Sequence, residues 1–343
     1  MSNLLIELLA ERDVLIADGA MGTSLFGLGL ATGDSPEIWN VLYPERVASV
    51  HQGFVEAGAD LILTNTFGAN RYRLQLHDSQ TRVQELNQAA ARIARQVADQ
   101  AGRPVMVAGS IGPTGEIYQP IGPLDMADGE AAFREQALAL AEAGVDLLWI
   151  ETISGPEEMT AAIAGAKPTG LPIVATLTFD TNGCTMMGVT PKAAMDLRSD
   201  LPARPAAYGA NCGIGPAQLV DTIVGLTEAA AADDIIVAKG NCGVPEFKDG
   251  HIHYDGTPEV MATYARLVRD AGARIIGGCC GTGPDHVRAM VQALAEHPTG
   301  VRPTRAAIER ALGPVAAPAD ANAAAERAKD QSLRRRRRRR GAA

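Results

Sequence analysis

The chain is expected to fold as an α/β protein, a single (β/α)8 TIM barrel, on three observations. Short apolar runs alternate eight times with longer amphipathic segments, the pattern of parallel βα units. The turns that follow the apolar runs are alike in chemistry, rich in Gly, Asn, Asp, Thr and Cys. In a closed parallel barrel such turns converge on one rim, where active sites are built. Finally, 343 residues, 46% hydrophobic and 21% charged, are enough for one large buried core.

Taken in order, the apolar runs predict strands at 14–17, 60–64, 105–108, 146–150, 172–178, 206–209, 235–238 and 273–276. Amphipathic stretches between them predict helices that include 44–57, 82–101, 129–143, 217–230, 257–271 and 284–296. The barrel is expected over residues 1–300. Residues 301–343 read as an Ala/Pro-rich tail, disordered or loosely docked, with a short helix near 305–312. The N-terminus mixes Leu and Ile with Glu7, Glu11, Arg12 and Asp13, unlike a secretory signal. No run approaches a membrane span, so a cytoplasmic location is expected.

The formal charge is −9, although residues 334–340 are seven consecutive arginines. The body is therefore more acidic than the total suggests, which argues against a surface that tracks phosphate backbones. Nucleic acid is an unlikely partner on this ground. The arginine run reads either as a solvated terminus or as a site for RNA or an acidic partner.

Chemistry concentrates in Gly277-Gly278-Cys279-Cys280-Gly281, directly after the last apolar run. Neighbouring side chains on a strand point to opposite faces, so adjacent thiols can share a ligand only where the strand has ended and glycines free the backbone. Cys212 lies in a similar turn, Gly209-Ala210-Asn211-Cys212-Gly213. Three thiolates with one open position describe a reactive zinc site, the alternative being small buried hydrophobes. There is no CxxC pair and no HExxH spacing among the six histidines. His251 and His253 read as surface residues in a polar turn. Zinc held by three thiolates is a weak Lewis acid toward water but a good holder of a fourth sulfur, which points to a substrate thiolate attacking an electrophilic carbon. An amino-acid substrate would need an anionic partner for its ammonium, and Asp18 and Glu151 follow apolar strands at the expected mouth. Their plainer readings are a turn cap and a loop ion pair.

Asp18-Gly19-Ala20-Met21-Gly22-Thr23, Asn65-Thr66-Phe67-Gly68-Ala69-Asn70, Gly109-Ser110-Ile111-Gly112-Pro113, Gly209-Ala210-Asn211-Cys212 and the double-cysteine turn together resemble the homocysteine S-methyltransferases, over about residues 10–296. The likeness is strongest to bacterial betaine-homocysteine methyltransferases and to the homocysteine module of cobalamin-dependent methionine synthase. The resemblance implies Zn2+ on Cys212, Cys279 and Cys280, homocysteine bound by Asp18, Gly19 and Glu151, and methionine as product. Asn241 matches a position that ligates zinc in the methionine synthase module when substrate is absent.

Two features depart from the family pattern. Cys242 adds a fourth thiol near the metal, for which a packing role is expected because a fourth fixed ligand would close the site. Gly68 stands where the betaine enzymes carry a tyrosine, and aromatics are only 4% of the chain. A quaternary ammonium cage would then have to come from Trp39, Tyr43, Phe67, Tyr72 and Tyr118. Since the sequence spans one barrel, a donor that needs no second module is the simpler expectation, and glycine betaine is favoured. S-methylmethionine, dimethylsulfoniopropionate or a methyl-corrinoid on a separate protein are the other donors. A non-catalytic zinc-thiolate sensor is the alternative of another class, and homo-oligomer formation is left open. Cys184 is expected to take no part.

Overall fold

The structure, a computed structural model, describes residues 4–248 and 251–316, with backbone only over 245–248 and 251–253. Among the described residues ten strands form, and each expected apolar run overlaps one. They are β1 Leu15–Ile16, β2 Leu61–Leu63, β3 Met106–Ile111, β4 Leu147–Ile153, β5 Ile173–Leu177, β6 Ala207–Cys212, β7 Ile236–Gly240, β8 Pro245–Lys248, β9 His251–Tyr254 and β10 Ala273–Gly278. Eight of them pair in parallel in the order β1-β10-β7-β6-β5-β4-β3-β2. A parallel bridge between Ala17 and Leu61 joins the two ends of that sheet, with Asp60 N–H donating to Ile16 O at 2.7 Å. The result is the (β/α)8 barrel. The remaining two strands, β8 and β9, form an antiparallel hairpin in the seventh βα connection, where the sequence suggests only a polar turn.

Alternation along the strands sorts side chains into two layers. Leu15, Leu61, Met106, Leu147, Trp149, Val174, Val237 and Ile275 pack inside the barrel. Ile16, Ile62, Val107, Leu148, Ala175, Tyr208 and Ile276 face the surrounding helices. The interior is closed by the helix Leu4–Glu11, whose Leu5, Leu8 and Leu9 join the inner cluster. Asp60 and Asp146, both just ahead of their strands, act on neighbouring backbone. Asp60 Oδ2 accepts from Ile16 N–H at 2.9 Å and Asp146 Oδ2 from Val107 N–H at 2.7 Å, each held in turn by an arginine, Arg12 and Arg95.

Helices at Pro156–Ala166 and Pro191–Asp200 complete the outer ring. Within the expected tail, the helix Arg305–Leu312 forms as anticipated, capped by Thr304 and anchored by the fully buried Ile308 against Pro216–Ala229 and Pro258–Asp270. The arginine run 334–340 and the side chains of His251 and His253 lie outside the described residues. Among the described residues no helix is long and apolar enough to cross a membrane.

Candidate functional site

All eight parallel strands end on one face, and the site is assembled there from the ends of β4, β6, β7 and β10. Cys279 is the first residue past β10 and shares the inward parity of Ile275 and Gly277. Cys280 follows it outside the ladder, before Gly281 at φ +79°. A side chain at Gly278 would meet Thr282 at 2.2 Å, so only glycine lets this turn close. Cys212 ends β6 with φ +61°, a conformation uncommon outside glycine. That twist turns its sulfur from the outward parity of Tyr208 and Ala210 toward the pair from β10. The three sulfurs lie within 4.8 Å of one another, and among the described residues they form the one cluster of three or more metal-ligating groups.

Backbone and amide bonds hold the two cysteine-bearing turns together. Cys279 N–H donates to Gly240 O at 2.6 Å, and Cys242 N–H to Cys280 O at 2.9 Å. Asn241 spans the turns: its amide donates to Gly213 O at 2.7 Å and its oxygen accepts from Cys280 N–H at 3.1 Å. The asparagine is thus a brace between the sulfur sources in this state. Asn211 plays a parallel part, its oxygen accepting from Thr152 N–H at 2.8 Å and from Thr176 at 2.7 Å, its amide directed at Cys279 Sγ at 3.8 Å. Thr152, like Cys212, sits at positive φ, +65°. Two non-glycine residues in this region within one site mark a strained, over-determined rim.

The thiols interact strongly. Hydrogen bonding with Cys279, reinforced by burial, pushes Cys212 up to about 12. Hydrogen bonding with Cys212 and burial push Cys280 up to about 11. The bond with Cys212 favours the Cys279 thiolate, but Cys280, burial and the nearby Glu151 carboxylate outweigh it, and its pKa is raised. A soft all-sulfur donor set braced by the Asn211 and Asn241 amides fits Zn2+, whose charge would replace the protons these sulfurs otherwise keep.

Glu151, near the end of β4, accepts from Ser110 Oγ at 2.6 Å, and burial raises its pKa. Asp18 is engaged at both oxygens, by Leu63 N–H at 2.7 Å and by Lys239 Nζ at 2.8 Å. Gly19 packs so closely under Thr282 that a Cβ would lie 2.3 Å from its carbonyl oxygen. Lys239 and Thr176 escape the sequence reading, whereas Ser110, Thr152 and Asn211 lie in turns it places at the mouth without assigning them a part. Lys239 had a usable signal: it continues the inward parity of Val237 one step past the expected strand end.

Other candidates fall elsewhere. Cys242 is buried and donates to Gly256 O at 3.1 Å, consistent with packing. Cys184 lies in the turn after β5, bridged to Thr181 and outside the sulfur cluster. Trp39 and Tyr43 bracket the Arg46 guanidinium at 5.0 and 4.7 Å, so their π faces already serve a cation of the chain itself. Tyr118 is buried, and Phe67 is part exposed beyond β2.

A family model described as homocysteine S-methyltransferase matches residues 15–294. The methionine synthases of Mycobacterium tuberculosis and Mycobacterium leprae are each 32% identical, over 85% and 87% of this chain. The chain spans only about a quarter of their length, 25% and 26%. Among solved structures, the homocysteine methyltransferase MmuM from Escherichia coli is similar in its metallated form, with TM-score 0.71 and 26% identity over 84% of this chain and 99% of that one. Its oxidized form gives TM-score 0.69 at 26% identity, over 85% and 99%.

Proposed function

The chain belongs to the homocysteine S-methyltransferase family, and on that premise we propose that it transfers a methyl group to the thiolate of L-homocysteine, giving methionine, with zinc held by Cys212, Cys279 and Cys280. The observation that carries this reading is the convergence of three sulfurs, from two distant turns, at the mouth of the barrel. Zinc, when bound, supplies charge that keeps these sulfurs and an incoming thiol deprotonated at neutral pH. The chain's own residues do the rest. Asn211 and Asn241 hold the sulfur-bearing turns in register, and Gly19 allows the first loop to approach the double-cysteine turn. Glu151 offers the carboxylate nearest the sulfurs for the substrate ammonium, with Ser110 fixing one of its oxygens. Asp18 supports that pocket from its position against Leu63 and Lys239.

The sequence favours glycine betaine as donor. Two observations support instead a methyl-corrinoid presented by a partner protein. Of the five aromatics named from the sequence for a cage, two are occupied by Arg46 and a third, Tyr118, is buried, while Tyr254, outside that set, is engaged by Cys280. The loops beyond β2, β3, β5, β6 and β7 expose Phe67, Ile117, Ile121, Met187, Ile214 and Val244 around the mouth, an apolar rim suited to a protein surface rather than to a small cation.

The test is a donor screen on one zinc-loaded sample, with metal analysis and sulfur coordination read by X-ray absorption. Methionine formed with methylcobalamin but not with betaine supports the reading. Product from betaine, S-methylmethionine or dimethylsulfoniopropionate alone overturns the donor while keeping the acceptor. Sulfur coordination should rise from three to four on adding homocysteine. Replacing Cys212, Cys279 or Cys280 by Ala should remove zinc and turnover together, and Cys184→Ala should remove neither. Zinc retained by the Cys212, Cys279 or Cys280 variants would end the proposal.

A further inference from the structure

The most deeply buried charges of the site, Lys239 and Asp18, are hydrogen-bonded to each other. Their side chains are 3% and 2% exposed and meet at 2.8 Å. The Lys239 ammonium also lies over the Trp149 ring, 5.6 Å from its centroid. A buried ion pair adds little net stability, because desolvation offsets the attraction. Its place in the fold is more telling. Asp18 follows β1, Lys239 lies on β7, and the strand between them is β10, whose end carries Cys279 and Cys280. The residue of β10 in register with Lys239 is Gly277. A Cβ there would lie 2.8 Å from the Ala17 Cβ and 3.0 Å from the Asp18 carbonyl oxygen, so the absence of a side chain lets β1 and β10 close up beside the pair.

The backbone entering the double-cysteine turn is attached to Asp18 on one side and to the neighbour of Lys239 on the other. Asp18 O accepts from Gly278 N–H at 3.0 Å, the residue before Cys279. Gly240, the residue after Lys239, accepts from Cys279 N–H at 2.6 Å. Ala20 N–H donates to Thr282 O at 2.9 Å and ties down the far side of the turn. A change in the separation of β1 and β7 would therefore be passed directly to the two sulfurs.

We propose that Lys239 and Asp18 form a positioning clamp across β10 that holds Cys279 and Cys280 against Cys212 for metal capture. This rests on the zinc reading above. Residues that support metal ligands from behind commonly govern metal affinity ten-fold or more.

The experiment compares zinc transfer to a chromophoric chelator from the wild-type protein, from Lys239→Met, and from Asp18→Asn/Lys239→Met, each with the melting temperature of its zinc-free form. The single variant strands a buried carboxylate and should melt earlier. The double variant removes both charges, so the comparison survives even if the single variant fails to fold. Both should release zinc at least ten-fold faster than the wild type, and the double variant should do so even where its melting temperature has recovered. Leu5→Ala, at the opposite end of the barrel, serves as a control for general loosening. Wild-type release from the double variant overturns the clamp, as does equally fast release from a Leu5→Ala protein of matched stability. A wild-type protein that holds no zinc overturns the metal centre itself, and the clamp with it.

Discussion

At the residue scale, the site shows how environment rather than residue type fixes chemical state. Three cysteines of ordinary thiol chemistry become a coupled set because two of them sit at the end of one strand and the third is turned toward them at positive φ. Lys239 shows the opposite balance: burial works against its charge, but Asp18 and Glu151 more than offset that, and its pKa stays above the ordinary lysine value. His51 is the informative contrast. It is fully buried in the helix Pro44–Glu56 with neither ring nitrogen hydrogen-bonded, and burial lowers its pKa to about 4. Between that value and the ordinary 6.5 the unfolded chain binds a proton that the folded chain refuses. Stability should then be complete above about pH 6.5 and fall as pH drops toward 4, by up to about 3 kcal/mol from this residue. Urea titrations from pH 7 to 4 should show the slope, and His51→Leu should flatten it. An unchanged slope in the variant would place the acid sensitivity elsewhere.

At the element scale, the short helix Leu4–Glu11 contributes more than its length suggests. Its three leucines complete a barrel interior whose upper half is given to polar groups, leaving the apolar filling to the lower half. Leu5 is 1% exposed among inner strand residues. Leu5→Ala should cost about 2–5 kcal/mol, measured by chemical unfolding, since the strands around it cannot collapse inward. A loss under about 1 kcal/mol would mean the helix merely lies on the barrel. From sequence alone this stretch reads only as an apolar start with scattered charges, because its partner surface exists only once the barrel has formed. The β8–β9 hairpin was hidden because its residues, polar and charged around Asp249-Gly250, suit a turn as well as two short strands.

At the scale of the whole molecule, the barrel has a docked extension. The helix Arg305–Leu312 buries Ile308, Arg305 donates to Val315 O at 2.8 Å, and Ala316 N–H donates to Gln218 at 3.0 Å. Ending the chain after Ala316, which removes the arginine run, should leave the melting temperature and methyl transfer unchanged. Ending it at residue 300 should lower the melting temperature by several degrees, because the face left on Pro216–Ala229 loses its cover. Equal melting temperatures for the two truncations would show the helix to be dispensable. Loss of turnover on removing only 317–343 would give the tail a role in the reaction.

The amino-acid sequence by itself determined the barrel and which three cysteines meet at its mouth. Both are carried by local signals: periodic apolar runs, and cysteines in glycine turns that must follow strands. It also marked Glu151 and Asp18, because polar residues at the ends of apolar strands have few places to go but the mouth, and the family resemblance marked Asn241. What only the tertiary structure decided is how these groups divide their work. Asp18 faces Lys239 from two strands away, Asn241 braces two turns, and Trp39 and Tyr43 close on Arg46. Such pairings depend on strand order and register around a closed barrel, which bring Asp18 and Lys239 together across 221 positions, a separation at which no local pattern carries information.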